Sequence, residues 1–296
     1  MKFIRLIPAF LITVAALTGL WSCGGSKENQ NNAEEFDQAE QSLKEQVETV
    51  IGNLPPPTEI PYLIQMTGAE YNQSLLNDRK KVDKYFSRND KAALNLGIYA
   101  ADIGYLSSYD KTQEAIDYLD AAKKLADNLG VIGSFNMDVL QRFEQNIANK
   151  DSLANILNRA ILSSEKYLKD ESRTKLAALL LTGSFVEGLY ISTGLIKSYP
   201  KDILPEDSRN LVLTPLMRVI LQQELSVDEL LNMINTLEKD ELLTSLATDL
   251  TSLQASYRAL NIEEQIKNNR SDLVLSDKNL EEITKVVEKM RTSIVE

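Results

Sequence analysis

The chain has 296 residues, 43% of them hydrophobic and 25% charged, a balance that suits a globular fold and excludes both a disordered chain and a many-span membrane protein. Its 43 acidic residues outnumber 32 basic ones, and the net charge of −11 argues against nucleic acid as a partner, since a polyanion binds through clustered Lys and Arg. With no histidine and one cysteine, Cys23, the chain cannot build a histidine-dependent nucleophile triad, a Cys/His zinc site, His-ligated haem or a disulfide framework, and no cofactor or metal is expected.

Lys2 and Arg5 precede an apolar run over 6–20, which leads into Leu20-Trp21-Ser22-Cys23. A membrane span wants about 20 apolar residues, so this run has the length of a secretory signal core instead. The layout resembles a bacterial lipoprotein signal with its lipobox: aliphatic Leu20 stands three before the cysteine and small Ser22 just before it, while Trp21 departs from the usual small residue. The resemblance implies cleavage before Cys23, a diacylglyceryl thioether on its sulfur, and attachment to a membrane through that lipid. Gly24 follows where an aspartate would mean inner-membrane retention, which implies the outer membrane, with its periplasmic face and the cell surface both open. Residues 27–32 are wholly polar and read as a solvated tether. The expected organisation is therefore 1–22 signal peptide, 23–33 lipidated cysteine and tether, and 34–296 a single all-helical domain, with 198–205 the best internal boundary.

The body shows helical spacing throughout and no hairpin signal. A polar helix is expected over 34–51, stopped by Gly52 and the stiff Pro55-Pro56-Pro57 connector, and a second over 58–77. Ser87 with Asp90 predicts a capped helix to about 108. Asp110 with Gln113 starts the next, which ends at Leu129-Gly130. Helices over 134–149, 151–169, 171–197, 205–223, 226–238, 240–260 and 276–295 complete about ten antiparallel helices in a bundle or stack. Ser226-Val227-Asp228-Glu229 has the form of a capping box. Leu243, Leu246, Leu250, Leu253, Tyr257 and Leu260 form one 3-4 seam, and Leu280, Ile283, Val287, Met290 and Ile294 another. Two or three heptads are short for a free coiled coil, so these are expected to be seams inside one bundle.

Two helices are nearly uncharged. The first, over 90–108, carries Asp102 as its only charge after Lys91. The second, over 176–196, carries only Glu187 and is expected in the core, because a carboxylate in mid-span is costly in lipid. Asp102-Ile103-Gly104-Tyr105 and Glu187-Gly188-Leu189-Tyr190 share an acid, a glycine within two residues and a tyrosine at i+3. The glycines suggest close helix approach, and the repeat could reflect a duplication. Asp102 and Glu187 could serve as general acid and base with raised pKa values, or as buried acids held by a tyrosine hydroxyl or by Asn95. Tyr105 and Tyr190 are candidate binding residues. Lys80, Lys84, Arg88 and Lys91 would share one face if helical, a candidate contact for anionic headgroups or an acidic partner.

The stretch Ala93-Leu94-Asn95-Leu96-Gly97-Ile98-Tyr99-Ala100-Ala101-Asp102, with Tyr118-Leu119 and Lys124-Leu125-Ala126-Asp127-Asn128-Leu129-Gly130, resembles an all-helical lipoprotein group of Bacteroidota without known activity. The resemblance brings no catalytic residues. Three functions stand open at this point: a lipid-anchored, non-catalytic binding or scaffold module with an envelope protein partner, a histidine-free hydrolase or lyase using Asp102 and Glu187, and a glycan-capture lipoprotein.

Overall fold

The computed structural model describes residues 59–130, 171–200, 202, 204–262, 264 and 280–296. All belong to Ser42–Glu296, the second of the two units into which the chain divides. The helices expected over 34–51, 134–149 and 151–169, the proline connector and Cys23 lie outside the described residues. Within them the fold is all-helical: α1 Glu59–Met66, two 3₁₀ segments at Gln73–Leu75 and Arg79–Tyr85, α2 Asn89–Ser108, α3 Thr112–Asn128, α4 Glu171–Ser198, α5 Glu206–Leu221, α6 Glu224–Thr236, α7 Glu241–Ala259 and α8 Glu281–Val295.

Several boundaries differ from expectation, each for a local reason. The second expected helix stops at Met66, eleven residues early. The Thr67 hydroxyl donates to the Ile64 carbonyl at 2.6 Å, and Gly68 follows at φ +80°, a left-handed residue that ends the helix. Ser87 does not cap α2; Arg88 occupies the cap, and Asp90 accepts from the Arg88 guanidinium and the Lys91 N–H. The Ser226 capping box does not form either. α6 starts two residues earlier, directly after the Gln222-Gln223 turn, which places Ser226 inside the helix and buried. By contrast, Asp240 caps α7, its Oδ1 accepting from the Leu243 N–H at 2.7 Å, and α3 closes through Gly130 at φ +69°.

α2 is buried on every side from Ala92 to Ser108, as a helix apolar all round must be. One face, with Leu94, Ile98 and Tyr105, joins the large core built by α1 and α4–α8. The opposite face, with Leu96, Tyr99, Ile103 and Leu106, closes a smaller core over Arg79–Tyr85 and α3. α4, about 42 Å long at 1.5 Å per residue, is α2's principal partner. Its apolar window is long enough to cross a membrane, yet 89% of it is buried inside this body, as expected for a core helix. The seams on α7 and α8 bury Leu243 through Tyr257 and Leu280 through Ile294 in the large core, α7 against α6 and α8, and α8 against α4 and α7. That core draws residues from both sides of 198–205.

Candidate functional site: a sealed acid pair

α2 and α4 approach backbone to backbone at two glycines. A Cβ on Gly97 would lie 2.0 Å from the Leu180 carbonyl oxygen, and one on Gly183 would lie 2.0 Å from that of Leu94. Gly188, one of the glycines expected to make this contact, instead faces the Ile60 side chain at 3.1 Å. Contacts advance in the same direction along both helices, from Leu94–Gly183 to Asp102–Glu187, so the pair runs parallel. This alignment brings the two acids of the sequence echo together, 85 positions apart in the chain.

Asp102 and Glu187 are both 0% exposed, and the negative charge of Glu187 weighs on Asp102. Glu187 is gripped from α8: Arg291 Nε donates to Oε2 at 3.1 Å and Nη2 to Oε1 at 3.2 Å, a bidentate pair. The Arg291 guanidinium also lies over the Tyr190 ring, 4.4 Å from its centroid. The Asn77 N–H donates to Asp102 Oδ2 at 3.3 Å, whereas Oδ1 has no hydrogen-bond partner among the described residues.

Two acids at zero exposure face one guanidinium, so the cluster is balanced only when one of them is neutral. Glu187 is saturated by the guanidinium and acts as acceptor, which leaves Asp102 as the protonated partner. Burial, together with the Glu187 charge, pushes the Asp102 carboxyl well above the ordinary carboxylate range. Burial also raises Glu187, while Arg291 pulls it back. For Arg291 itself burial opposes the charge, but Glu187 and its hydrogen bonds hold the guanidinium above its usual value. One proton, one carboxylate and one guanidinium make a neutral buried cluster.

Around it sits a second layer that ties down the end of α8. Asn95 Nδ2 donates to the Ile294 carbonyl at 3.0 Å and the Tyr85 hydroxyl to the Val295 carbonyl at 3.2 Å, while Asn77 Nδ2 donates to the Tyr85 hydroxyl at 3.2 Å. The last carbonyls of a helix lack intrahelical partners, and here side chains from α2 and Arg79–Tyr85 supply them inside the core.

No known family, characterised protein or solved structure matches the chain.

The other candidate residues fall elsewhere. Neither tyrosine bonds its acid: the Tyr105 hydroxyl accepts from the Asn72 N–H at 2.9 Å, and Tyr190 lies under Arg291. Asn95, expected to hold Asp102, spends its amide on the Lys91 and Ile294 carbonyls. Lys80 and Lys84 are exposed, but Arg79–Tyr85 is a 3₁₀ helix with three residues per turn, which sets them about 120° apart instead of in one stripe. Arg88 is engaged with Asp90. Among the described residues no three acids gather as a metal-ligand group. Arg291, Asn77 and Tyr85 were absent from the sequence-derived candidates. Arg291 alone left a trace: it stands four after Val287 and three before Ile294, on the flank of the α8 seam, where an unpaired cation would be costly.

Proposed function

We propose that the protein is a lipid-anchored helical module of the bacterial cell envelope, held at a membrane through Cys23, which works as a non-catalytic binding or scaffold element. The observation that carries this reading is the basic start, short apolar run and Leu20-Trp21-Ser22-Cys23 box at the N-terminus. Two or three acyl chains, at about 0.8 kcal/mol per buried methylene, make such an anchor firm. The site geometry favours a binding over a chemical role: the two acids nearest to a catalytic pair have no exposure to solvent, and Glu187 is committed to Arg291. Feeding cells an alkyne fatty acid should label the wild-type protein and leave Cys23→Ser unlabelled and soluble in the periplasmic fraction. An unlabelled wild-type chain that still needs detergent for extraction would defeat the proposal.

A histidine-free hydrolase or lyase is the second reading, favoured by one observation, the meeting of Asp102 and Glu187. It requires the core to open, because substrate has to reach oxygens that are now sealed. Turnover of an ester or glycoside probe that disappears in both Asp102→Asn and Glu187→Gln, while the fold survives, would establish it.

A further inference from the structure

The acid pair lies where the last helix is fastened. Three polar links hold the final turn of α8: Arg291 to Glu187, Asn95 to the Ile294 carbonyl, and Tyr85 to the Val295 carbonyl. The strongest is the guanidinium–carboxylate pair, and it is electrically balanced only while the neighbouring Asp102 keeps its proton. Removing that proton leaves two carboxylates against one guanidinium at zero solvent exposure of the acids, a costly excess of buried charge. Swinging α8 away would let water reach both oxygens.

We propose that the proton held by Asp102 beside the Arg291–Glu187 pair is a latch for α8, so that loss of this proton releases this helix from the core.

Among the described residues Arg291 is the cation paired with the acids, while Arg79 lies over the Tyr118 ring at 6.0 Å and Lys111 over the Tyr71 ring at 5.0 Å. Several elements contribute to the latch's surroundings. From α2 come Asp102 and Tyr99, and from α4 come Glu187 and Tyr190. Tyr85 and Asp78 belong to the Arg79–Tyr85 region, Tyr71 to the segment before it and Tyr118 to α3, while α8 supplies Arg291. The Tyr71, Tyr85, Tyr99 and Tyr118 hydroxyls are all shifted upward by burial, away from neutrality. Because the chain has no histidine, its ordinary side chains scarcely titrate between about pH 6 and 8, and a proton-linked change there points to a displaced carboxyl.

The sign follows from linkage. An acid whose folded-state pKa lies above its unfolded value gives its full stabilisation below the unfolded value, near 3.8 for Asp102, and loses it as pH rises toward the folded value. One proton corresponds to at most a tenfold change in the opening equilibrium per pH unit.

Amide hydrogen exchange over 281–295, recorded on the full chain in detergent from pH 6 to 9 and corrected for intrinsic rates, tests the latch. In the wild type the opening constant of α8 should climb with pH, by no more than tenfold per unit. In Asp102→Asn the side chain stays neutral at every pH, so protection should persist and the pH slope should vanish. An Asp102→Asn protein with the wild-type slope would overturn the proposal. Should that variant fail to fold, infrared difference spectroscopy of the wild type decides: a protonated-carboxyl C=O stretch at neutral pH that fades as α8 loses protection supports the latch, and its absence sinks it.

Discussion

Gly97 lies against the Leu180 carbonyl so closely that a Cβ would sit 2.0 Å from the oxygen and 2.7 Å from the Ser184 nitrogen, backbone atoms that no rotamer change can move. Gly183 repeats the relationship with Leu94 from the opposite helix. Together they fix the distance at which α2 and α4 run, and hence whether Asp102 and Glu187 meet.

Gly97→Ala and Gly183→Ala should therefore cost more than about 4 kcal/mol or prevent folding, since overlap with backbone forces the helices apart. Gly188→Ala is the control. Its methyl would meet the Ile60 side chain at 3.1 Å, and side chains can yield, so a loss near 1 kcal/mol is expected. Urea melts of the three proteins should show this order; equal losses would mean that the backbone contacts do not set the spacing.

Much of this architecture was legible in the pattern of residues. The seams of α7 and α8 needed only 3-4 spacing, and Glu187 stood out as the one charge in an apolar stretch. Helix starts were less legible. Ser87 and Ser226 both have the side chain of a cap, but the tertiary fold sets the entry points at Arg88 and Gln223, and cap preference is too small to override packing. The partner of Glu187 lies 104 residues away on a helix rich in charge, and Asn77 reaches Asp102 through its backbone N–H, which any residue would offer. Spacing along one helix cannot report contacts between distant ones. For the same reason the expected Asn95–Asp102 bond, reasonable on one helix, gave way to a carbonyl on α8.

Arg291→Gln should remove about 3–5 kcal/mol at neutral pH by stranding Glu187 without its counter-charge. The loss should depend on pH. Burial raises both acids, so without Arg291 the folded state favours two protonated carboxyls; the variant should be most stable below the ordinary values of 3.8 and 4.5 and weaken as pH rises. The gap between variant and wild type, measured by thermal melts, should thus be smallest near pH 4 and widen toward pH 7. A gap independent of pH would assign the role of Arg291 to packing alone.

Asp240 gives the opposite sign. Its carboxyl is held below the usual carboxylate range first by the Leu243 N–H and then by Lys175. The cap's contribution is therefore present above the ordinary value of 3.8 and lost as pH falls through the lower folded value. Asp240→Ala should cost about 1 kcal/mol at pH 7, and that difference should shrink in strong acid. A constant difference down to pH 2 would show that the charge is immaterial to the cap.

The C-terminal carbonyls supply the last test. Asn95→Leu keeps the approximate volume but strands the Ile294 carbonyl inside the core, which should cost about 1–3 kcal/mol. Tyr85→Phe deletes the donor to Val295 and leaves the ring packed against Tyr99, so about 1 kcal/mol is expected. Both substitutions act on the last turn of α8, as does shortening the chain after Thr292, which removes Ile294 and Val295 with their acceptors. In the shortened chain the two substitutions should have almost no further effect, because their partners are gone. Additive losses in the double variants would place the work of Asn95 and Tyr85 elsewhere than at the helix end.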